Sequence, residues 1–501
     1  MRRKPIITAA ILAVFTCSGA FAQQHYNLTL DESIAIAMEK SYSMLTLKED
    51  TEIAAQNLKA TLASQRTRID LELTLPNYSE TVEQFNTVNE DGTVNMSYNF
   101  IKRLTNYGGL TITQPLPTDG TIYLSTGLNN LNDYNSDKRY VNFNTRIRLR
   151  QPIQSLWGYN ANRAAVKSAR LSYEQANKAL KREELNLVYS VSASYYSLLS
   201  LQKSAEIALA NLERQTEAYE ISKNKYDSGL IREVDALQME VDLAEAQSNY
   251  DVAVLNHASA GNAFKELIGI GLHDTVSLNS SMEYEPVVVD ADFAVGLAMK
   301  NRLEIQERDI QIELQKLTIK QRKSARQPSI NLDAYYERTG MSEEALGVRY
   351  PTSFGNTFSN FSNRPSNFGV GVNISIPIFN WGQNKANVRA SEARMRQYEF
   401  SKTETERSVE TEVRNLVANL STTLKRLQLL ERNVSVAEKS FDITLKRYSD
   451  GDIDSQSLAL ERNRLNTAYT SHLTAYINYQ LALADLMRKT FYDFRTNTSV
   501  E

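Results

Sequence analysis

Apolar residues recur every three or four positions along two long segments that contain neither glycine nor proline. The first segment is 159–228 and the second is 383–450, so the two are nearly equal in length. In the first, Leu187, Val191 and Tyr195 keep this spacing, while Lys, Arg, Glu and Gln fill most other positions. The pattern predicts amphipathic helices about 105 Å long, at 1.5 Å per residue. A solitary helix of this kind is unstable in water, so we expect it to pack in a coiled bundle.

Each long helix is followed by a glycine and then by a second helical pattern. The helical pattern resumes over about 234–260 after Gly229 and over about 455–488 after Gly451. We therefore predict two helical hairpins, 159–260 and 383–488, with tips near 226–235 and 448–457. The tips correspond in sequence, as Lys225-Tyr226-Asp227-Ser228-Gly229 and Arg447-Tyr448-Ser449-Asp450-Gly451.

Apolar and polar residues alternate with period two before each hairpin. In 367–378 the polar positions hold glycine, asparagine and serine, and in 143–150 they hold asparagine and three arginines. This alternation is typical of a membrane-barrel strand, with apolar residues toward lipid and polar residues toward a watery lumen. We predict partner strands at 69–75 and 330–337, each after a shorter helix.

The first strand region, about 69–151, is longer than the second, about 330–377. Its excess contains two more alternating segments, 94–100 and 121–128, which indicate a further hairpin. The sequence leaves two placements open for this insert. It either adds strands to the barrel or forms an external loop.

Both strand regions end in a proline that is followed by a Trp-Gly pair. Proline ends ladder pairing, and glycine permits the turn into the helix. We expect the two tryptophans at the inner membrane surface, where they would anchor the barrel as structural residues. The junction residues are Pro152, Trp157 and Gly158 in the first repeat and Pro377, Trp381 and Gly382 in the second.

The order helix, strand, strand, long helix, tip and return helix thus occurs twice. We place the first repeat at 23–268, a linker at 269–292, the second repeat at 293–490 and a C-terminal tail at 491–501. The fold class is mainly α with a membrane β-barrel. Four to six strands cannot close a membrane barrel, and lipid does not tolerate an open strand edge, so the chain must assemble with copies of itself.

The N-terminus has the features of a secretory signal peptide. Three basic residues precede an apolar run from Ile6 to Cys17, and Ala20-Phe21-Ala22 supplies small residues where a signal peptidase reads. We predict cleavage after about Ala22. The single cysteine, Cys17, lies inside this signal, and the residues before it do not fit a lipidation site.

Charge and motif content argue against several other functions. The formal net charge is −3 and becomes −6 once the basic N-terminus is removed, which argues against a nucleic-acid partner. The four histidines are scattered without metal-ligand spacing, and no phosphate-binding loop or nucleophile elbow is present. We expect neither catalysis, nor a cofactor, nor a bound metal.

The duplicated unit, the proline exits and the paired Tyr-x-x-Gly tips together resemble the TolC-like outer membrane efflux proteins. The resemblance covers about 28–491 and rests on the order of these features and on their duplication. It implies a homotrimer with one shared barrel in the outer membrane of a Gram-negative bacterium and an α-helical periplasmic tunnel. It also implies a periplasmic adaptor protein and an inner-membrane pump of RND, ABC or MFS type.

The resemblance assigns adaptor contact to the tips. Tyr226, Gly229 and Leu230 carry the assignment in the first hairpin, and Gly451 with Asp452 in the second. The alternative is that the glycines only adopt the positive φ that turns the chain.

The resemblance also implies a gate, a hydrogen bond between Tyr448 and Asp235. The alternative for Asp235 is a solvated aspartate at a helix start. The acidic ring of the family falls on Ser457 and does not transfer. Asp452 and Asp454 would supply a ring of negative charge instead, or be ordinary turn acids. Arg232 is a candidate partner for the acids of either tip.

The leading hypothesis is a passive exit duct for tripartite efflux or type I secretion, gated at the periplasmic tips. The rival is a fibrous coiled-coil structural or surface protein that conducts nothing, which would have no need for the duplicated strand pairs. The sequence does not select a cargo, a pump and adaptor, or a closed or open resting tip.

Overall fold

The computed structural model of the chain describes residues 25–88, 90, 92–278 and 282–499. The predicted signal peptide, with its cleavage site and Cys17, lies outside these residues. Across the described ranges, no helix combines the length and the apolar character needed to cross a membrane.

Two helical hairpins of equal build account for much of the chain. Each has a first helix of 67 or 68 residues and a return helix of 36 residues. The prediction of a mainly helical fold with repeated hairpins is confirmed. The four helices are α3 (Ala161–Asp227), α4 (Glu233–Ile268), α8 (Gln383–Asp450) and α9 (Ser455–Thr490).

The shorter helix of each repeat is broken in two, which the periodicity did not show. Ser41 and Arg302 both have extended backbone at the break, with ψ of 136° and 119°. The Ser41 hydroxyl accepts a hydrogen bond from the Met44 amide at 3.3 Å and so caps the helix that follows. The pieces are α1 (Leu30–Lys40) and α2 (Tyr42–Ala63), then α5 (Ala291–Asn301) and α6 (Leu303–Ser324).

Two short strand pairs accompany the helices. Strand β1 (His25–Leu28) pairs in parallel with β6 (Thr275–Leu278), which lies in the segment expected as a linker. Near the C-terminus, β9 (Tyr492–Asp493) pairs with β10 (Thr498–Ser499).

Six antiparallel strands form one sheet in the order β2-β3-β4-β5-β7-β8. The extra hairpin of the first repeat therefore lies in the sheet with the other strands. From Val94 to Lys102, β3 pairs only with β2, so these two strands extend past the end of β4 as a two-stranded ribbon. The strands are β2 (Arg68–Val88), β3 (Val94–Pro115), β4 (Thr121–Asp133), β5 (Lys138–Pro152), β7 (Ser329–Ala345) and β8 (Asn367–Ser375).

The sheet has one apolar face and one polar face, as the alternation predicts. The apolar face is highly exposed, from Leu71 at 68% on β2 to Phe368 at 79% on β8. On the polar face, Arg148 Nη2 lies 2.8 Å from Asp333 Oδ1. Strand β8 is shorter than the predicted 367–378 and ends at Ser375, before Pro377.

Helix α7 (Tyr350–Asn363), which connects β7 to β8, was not predicted. It packs on the apolar face, where Phe143 lies 5.0 Å from Phe358 and 4.9 Å from Phe361 between ring centroids. Gly340 permits the close approach, because a Cβ there would lie 2.3 Å from the Thr357 carbonyl oxygen.

The chain divides into two compact units. The sheet unit comprises Leu47–Arg182 and Asn301–Thr411 and contains the six-stranded sheet. The tip unit comprises the described parts of Met1–Thr46, Glu183–Lys300 and Glu412–Glu501, and contains both hairpin tips. Its core includes Tyr195, which packs against Phe264 at 6.3 Å between ring centroids.

Candidate functional site at the helical tips

The two hairpins turn through the same backbone motif. Gly229 and Gly451 have φ of +72° and +89°, in the left-handed region that favours glycine. The amide of Leu230 donates to the Lys225 carbonyl at 2.8 Å, and the amide of Asp452 donates to the Arg447 carbonyl at 2.9 Å. These bonds close a Schellman-type helix end in both hairpins. Leu230 is 74% exposed, so the first tip presents an apolar side chain to solvent.

Tyr448, which the sequence analysis proposes as a gate residue, is buried in an apolar cluster near the tips. Its side chain is 3% exposed and belongs to a cluster with Met239 of the first hairpin and Leu458 of the second. Burial raises the pKa of the phenol, and the charge of Asp235 adds to the rise, while Ser222 acts in the opposite direction. The tyrosine is therefore neutral at physiological pH and joins the two hairpins largely by packing.

Lys225 is a site residue that the sequence reasoning did not single out. Its amine donates to the backbone carbonyl of Tyr448 and lies 4.5 Å from the centre of the Tyr448 ring. Lys225 of the first hairpin thus binds Tyr448 of the second by a charge-assisted hydrogen bond and a cation–π contact. The available signal was positional, since a basic residue directly precedes the tyrosine in both tips.

Asp235 takes its hydrogen bonds from Arg232 on the same tip. The Arg232 Nε and Nη2 atoms lie 3.1 and 3.2 Å from the two carboxylate oxygens. Arg232 is 83% exposed and Asp235 is 30% exposed, so this pair stands at the surface. The structure brings Asp235 near enough to Tyr448 to influence its pKa, while the carboxylate itself is engaged by Arg232.

The two acids of the second tip differ in their surroundings. Asp454 caps α9, because its Oδ1 accepts a hydrogen bond from the Ser457 amide at 2.9 Å. Hydrogen bonds from Ser457 hold the pKa of the Asp454 carboxyl below its usual value. Asp452 is exposed in the turn itself. The second tip therefore carries one aspartate that caps a helix and one that is exposed in the turn.

A second polar connection joins the hairpins farther from the tips. Arg462 of α9 donates to Gln215 of α3, and its Nη2 lies 3.3 Å from Asp242 Oδ2 of α4. The side chains of Arg462 and Asp242 are only 14% and 12% exposed. This link lines a polar cavity of about 570 Å³ between α4 and α9, which Asp235 also borders.

The strand-to-helix junctions are exposed in both repeats. Trp157 is 72% exposed and Trp381 is 90% exposed, and the Trp381 ring lies 4.8 Å from that of Phe379. Gly382 has φ of +80°, as expected for a turn glycine. Gly158 instead follows the end of the short 3₁₀ helix Ile153–Leu156, and its amide donates to the Gln154 carbonyl at 2.9 Å. Pro377 lies outside the sheet.

The charged side chains of the described part of the chain do not gather into a metal site. No group of three or more His, Cys, Asp or Glu residues is placed there to hold an ion. The residues at the tips contact one another through hydrogen bonds, packing and cation–π contacts, which hold the two hairpins together.

Comparison with known proteins finds similarity over most of the chain. A family model described as "Outer membrane efflux protein" matches residues 120–269 and 294–490. The alkaline protease secretion protein AprF of Pseudomonas aeruginosa is 22% identical over 358 residues, covering 69% of this chain and 70% of AprF. Nodulation protein T of Rhizobium leguminosarum bv. trifolii is 21% identical over 57% of this chain and 59% of its own length. The CmeC outer membrane channel of Campylobacter jejuni superposes with a TM-score of 0.66 at 15% identity, covering 100% of this chain and 95% of CmeC.

Proposed function

Because the chain belongs to the outer membrane efflux protein family, we propose that this outer-membrane channel is the passive exit duct of an export path, with its gate at the helical tips. The resemblance to TolC-like proteins noted in the sequence is confirmed. The protein resides in the outer membrane and extends into the periplasm, as members of this family do. In the proposal it works with a periplasmic adaptor and an inner-membrane pump, and the pump supplies the energy and chooses the cargo.

The gate is proposed from the contact between the two hairpins at Tyr448. A buried aromatic side chain of one hairpin packs on Met239 of the other and is bound by Lys225 at the same point. Charge-assisted hydrogen bonds contribute about 1.5–3 kcal/mol each. Contacts of this strength can hold the tips in a closed resting state and can still be broken when a partner protein binds.

The remainder of the duct is proposed from the sheet. Its apolar face is exposed along β2 and β8, while arginines and acids pair on the other face. These two faces suit lipid on one side and a watery lumen on the other. We propose a homotrimer in which the sheets close into a shared barrel, with Trp157 and Trp381 near the inner membrane surface.

Adaptor contact is proposed for the exposed ends of the hairpins. Tyr226 and Leu230 are 42% and 74% exposed and flank Gly229. Gly451 and Asp452 form the corresponding turn of the second hairpin. A tip with exposed apolar and aromatic side chains offers an anchor for a partner protein.

Single-channel conductance of the purified protein in a planar bilayer tests the proposal. We expect discrete steps, and larger or more frequent steps in a Tyr448→Ala variant, because the change removes the buried ring that packs with Met239 and that Lys225 contacts. The matched control is Tyr226→Ala, which removes the same type of side chain at an exposed tip position.

Two outcomes would contradict it. Folded oligomers of either variant that never conduct would favour the fibrous structural protein. Equal conductance in the two variants would remove the gate from Tyr448 while leaving the channel in place.

A further inference from the structure

We propose that neighbouring copies of this chain join through the outer edges of β2 and β8, so that all six strands of each copy enter one barrel. This inference rests on the proposed trimeric channel. It concerns the partner of each sheet edge and, through the number of strands, the width of the duct.

The sheet order leaves β2 and β8 as its two edges. Successive strands are antiparallel throughout the sheet, and β2 leads away from α2 while β8 leads into α8. A β8 strand beside the β2 strand of another copy would therefore continue the antiparallel order. Unpaired edges are not tolerated in lipid, so each edge needs a partner.

The free part of the β2 edge has nearly the same length as β8. The β2–β3 ladder is irregular between Thr74 and Asn77, and Pro76 in this interval has no amide to donate. We infer that pairing on the outer side of β2 ends at this interruption, while its inner side continues to pair with β3 as far as Val88. What remains is Arg68–Leu75, eight residues, against the nine of Asn367–Ser375 in β8.

The apolar positions of the two edges match in one register. When Arg68 lies opposite Ser375, every apolar residue of this part of β2 faces an apolar residue of β8, and polar residues or glycines face one another. All eight of these apolar side chains are at least 55% exposed within a single chain. The pairs are Ile69 with Ile374, Leu71 with Val372, Leu73 with Val370 and Leu75 with Phe368.

The alternative barrel would use two strands from each repeat and leave β2 and β3 outside. The family match favours this arrangement, because it begins at residue 120, after both of these strands. In that arrangement β4 would meet β8 of the neighbouring copy. The structure opposes this, because β3 pairs with β4 along the whole length of β4, from Thr121 to Asp133, and so occupies the edge that β8 would need.

The number of strands sets the width of the duct. Three copies of the six-stranded sheet would supply 18 strands, whereas two strands per repeat would supply 12. Barrel diameter grows with strand number, and barrels of about 16–18 strands enclose an open aqueous channel. The proposed barrel would therefore be wide enough for bulky cargo such as an extended polypeptide.

Cysteine cross-linking between copies in the membrane distinguishes the two arrangements. Outside the predicted signal peptide the sequence has no cysteine, so introduced pairs report without background. We expect Leu71→Cys/Val372→Cys to link subunits under mild oxidation, because facing residues of antiparallel strands have Cα separations of about 4.5–5.5 Å, within disulfide range.

Two further pairs serve as controls. Leu75→Cys/Val372→Cys lies four residues out of the proposed register and should remain unlinked. Leu124→Cys/Val372→Cys tests the β4 edge, and within one chain these strands are separated by β5 and β7, about 14 Å in all at 4.8 Å per strand. Native mass spectrometry establishes in each case that trimers are present.

Linked trimers for Leu71→Cys/Val372→Cys alone would support the proposal. Links through Leu124→Cys, or no links in intact trimers, would overturn it and leave the channel function standing. Absence of any trimer in every variant and in the parent protein would instead contradict the proposed channel on which the inference rests.

Discussion

At the level of single residues, the polar contact at Tyr448 comes from a lysine and not from the expected aspartate. The sequence directs attention to Tyr448 and Asp235, yet Lys225 donates to the Tyr448 backbone and lies over its ring. Asp235 is engaged by Arg232. Because the Asp235 carboxylate is already paired with the Arg232 guanidinium, the two hairpins are held together at Tyr448 by packing and by Lys225.

Replacing Lys225 with methionine should loosen the tips. The change keeps a long apolar stem but removes the charge, and the loss of about 1.5 kcal/mol would shift the closed-to-open ratio about tenfold. Single-channel open probability measures the shift. Lys223→Met, at an exposed position two residues earlier, should leave the open probability unchanged. Equal open probability in the two variants would mean that Lys225 does not hold the gate.

His472 should make the tip unit less stable in mild acid. Burial lowers the pKa of its imidazole below the usual 6.5, although Glu431 opposes the shift. The unfolded chain therefore binds more protons than the folded chain as the pH falls through about 6.5, and the free energy of unfolding decreases.

The expected result is a melting temperature that falls between about pH 7.5 and 5.5, and falls less steeply in His472→Gln. Thermal unfolding followed by circular dichroism at several pH values measures both slopes. Identical pH dependence in the two proteins would remove His472 as a cause.

At the scale of elements, periodicity predicts the long helices well and helix α7 not at all. The segment of α7 is rich in asparagine, serine and phenylalanine, which have low intrinsic helix propensity. Its helix is stabilised by packing, with Phe358 and Phe361 against Phe143 and with Thr357 against Gly340. Contacts between residues distant in sequence thus override the local preference.

Gly340→Val should displace α7 from the sheet. A Cβ at this position would lie 2.3 Å from the Thr357 carbonyl oxygen and 2.6 Å from Phe361 Cβ, so the helix must move. Amide hydrogen exchange over 350–363 should become faster by an order of magnitude, about 1.4 kcal/mol of local stability. Gly371→Val is the matched control, since no atom lies within 4 Å of a Cβ there. Unchanged exchange in Gly340→Val would contradict the close packing.

At the scale of the whole molecule, the tips should matter for export and not for assembly. Gly229 and Gly451 have positive φ, but the space that a Cβ would occupy is open, so a valine at either position strains the backbone without a clash. A β-branched residue in this conformation costs about 1–3 kcal/mol, enough to rearrange an exposed turn.

A Gly229→Val/Gly451→Val variant should therefore form trimers and lose export. Trimer yield and export of a known cargo of the path are measured in the same cells. Gly347→Val, also at an open glycine but at the β7–α7 connection, should export normally. Normal export by the tip variant would remove the tip turns from adaptor docking.

The repeat, the hairpins, the tips and the strand alternation can all be predicted from the sequence. These are local properties, because a periodicity of 3.6 or 2 and a glycine at a turn are fixed by neighbouring residues along the chain. The sequence could not determine the breaks at Ser41 and Arg302, the packing of α7, the sheet position of the extra hairpin, or the engagement of Tyr448 by Lys225. Each of those depends on residues that meet only in the folded chain, such as Lys225 and Tyr448 at 223 positions apart. Tertiary structure alone decides such contacts, because their energy arises from burial and geometry that the linear pattern does not contain.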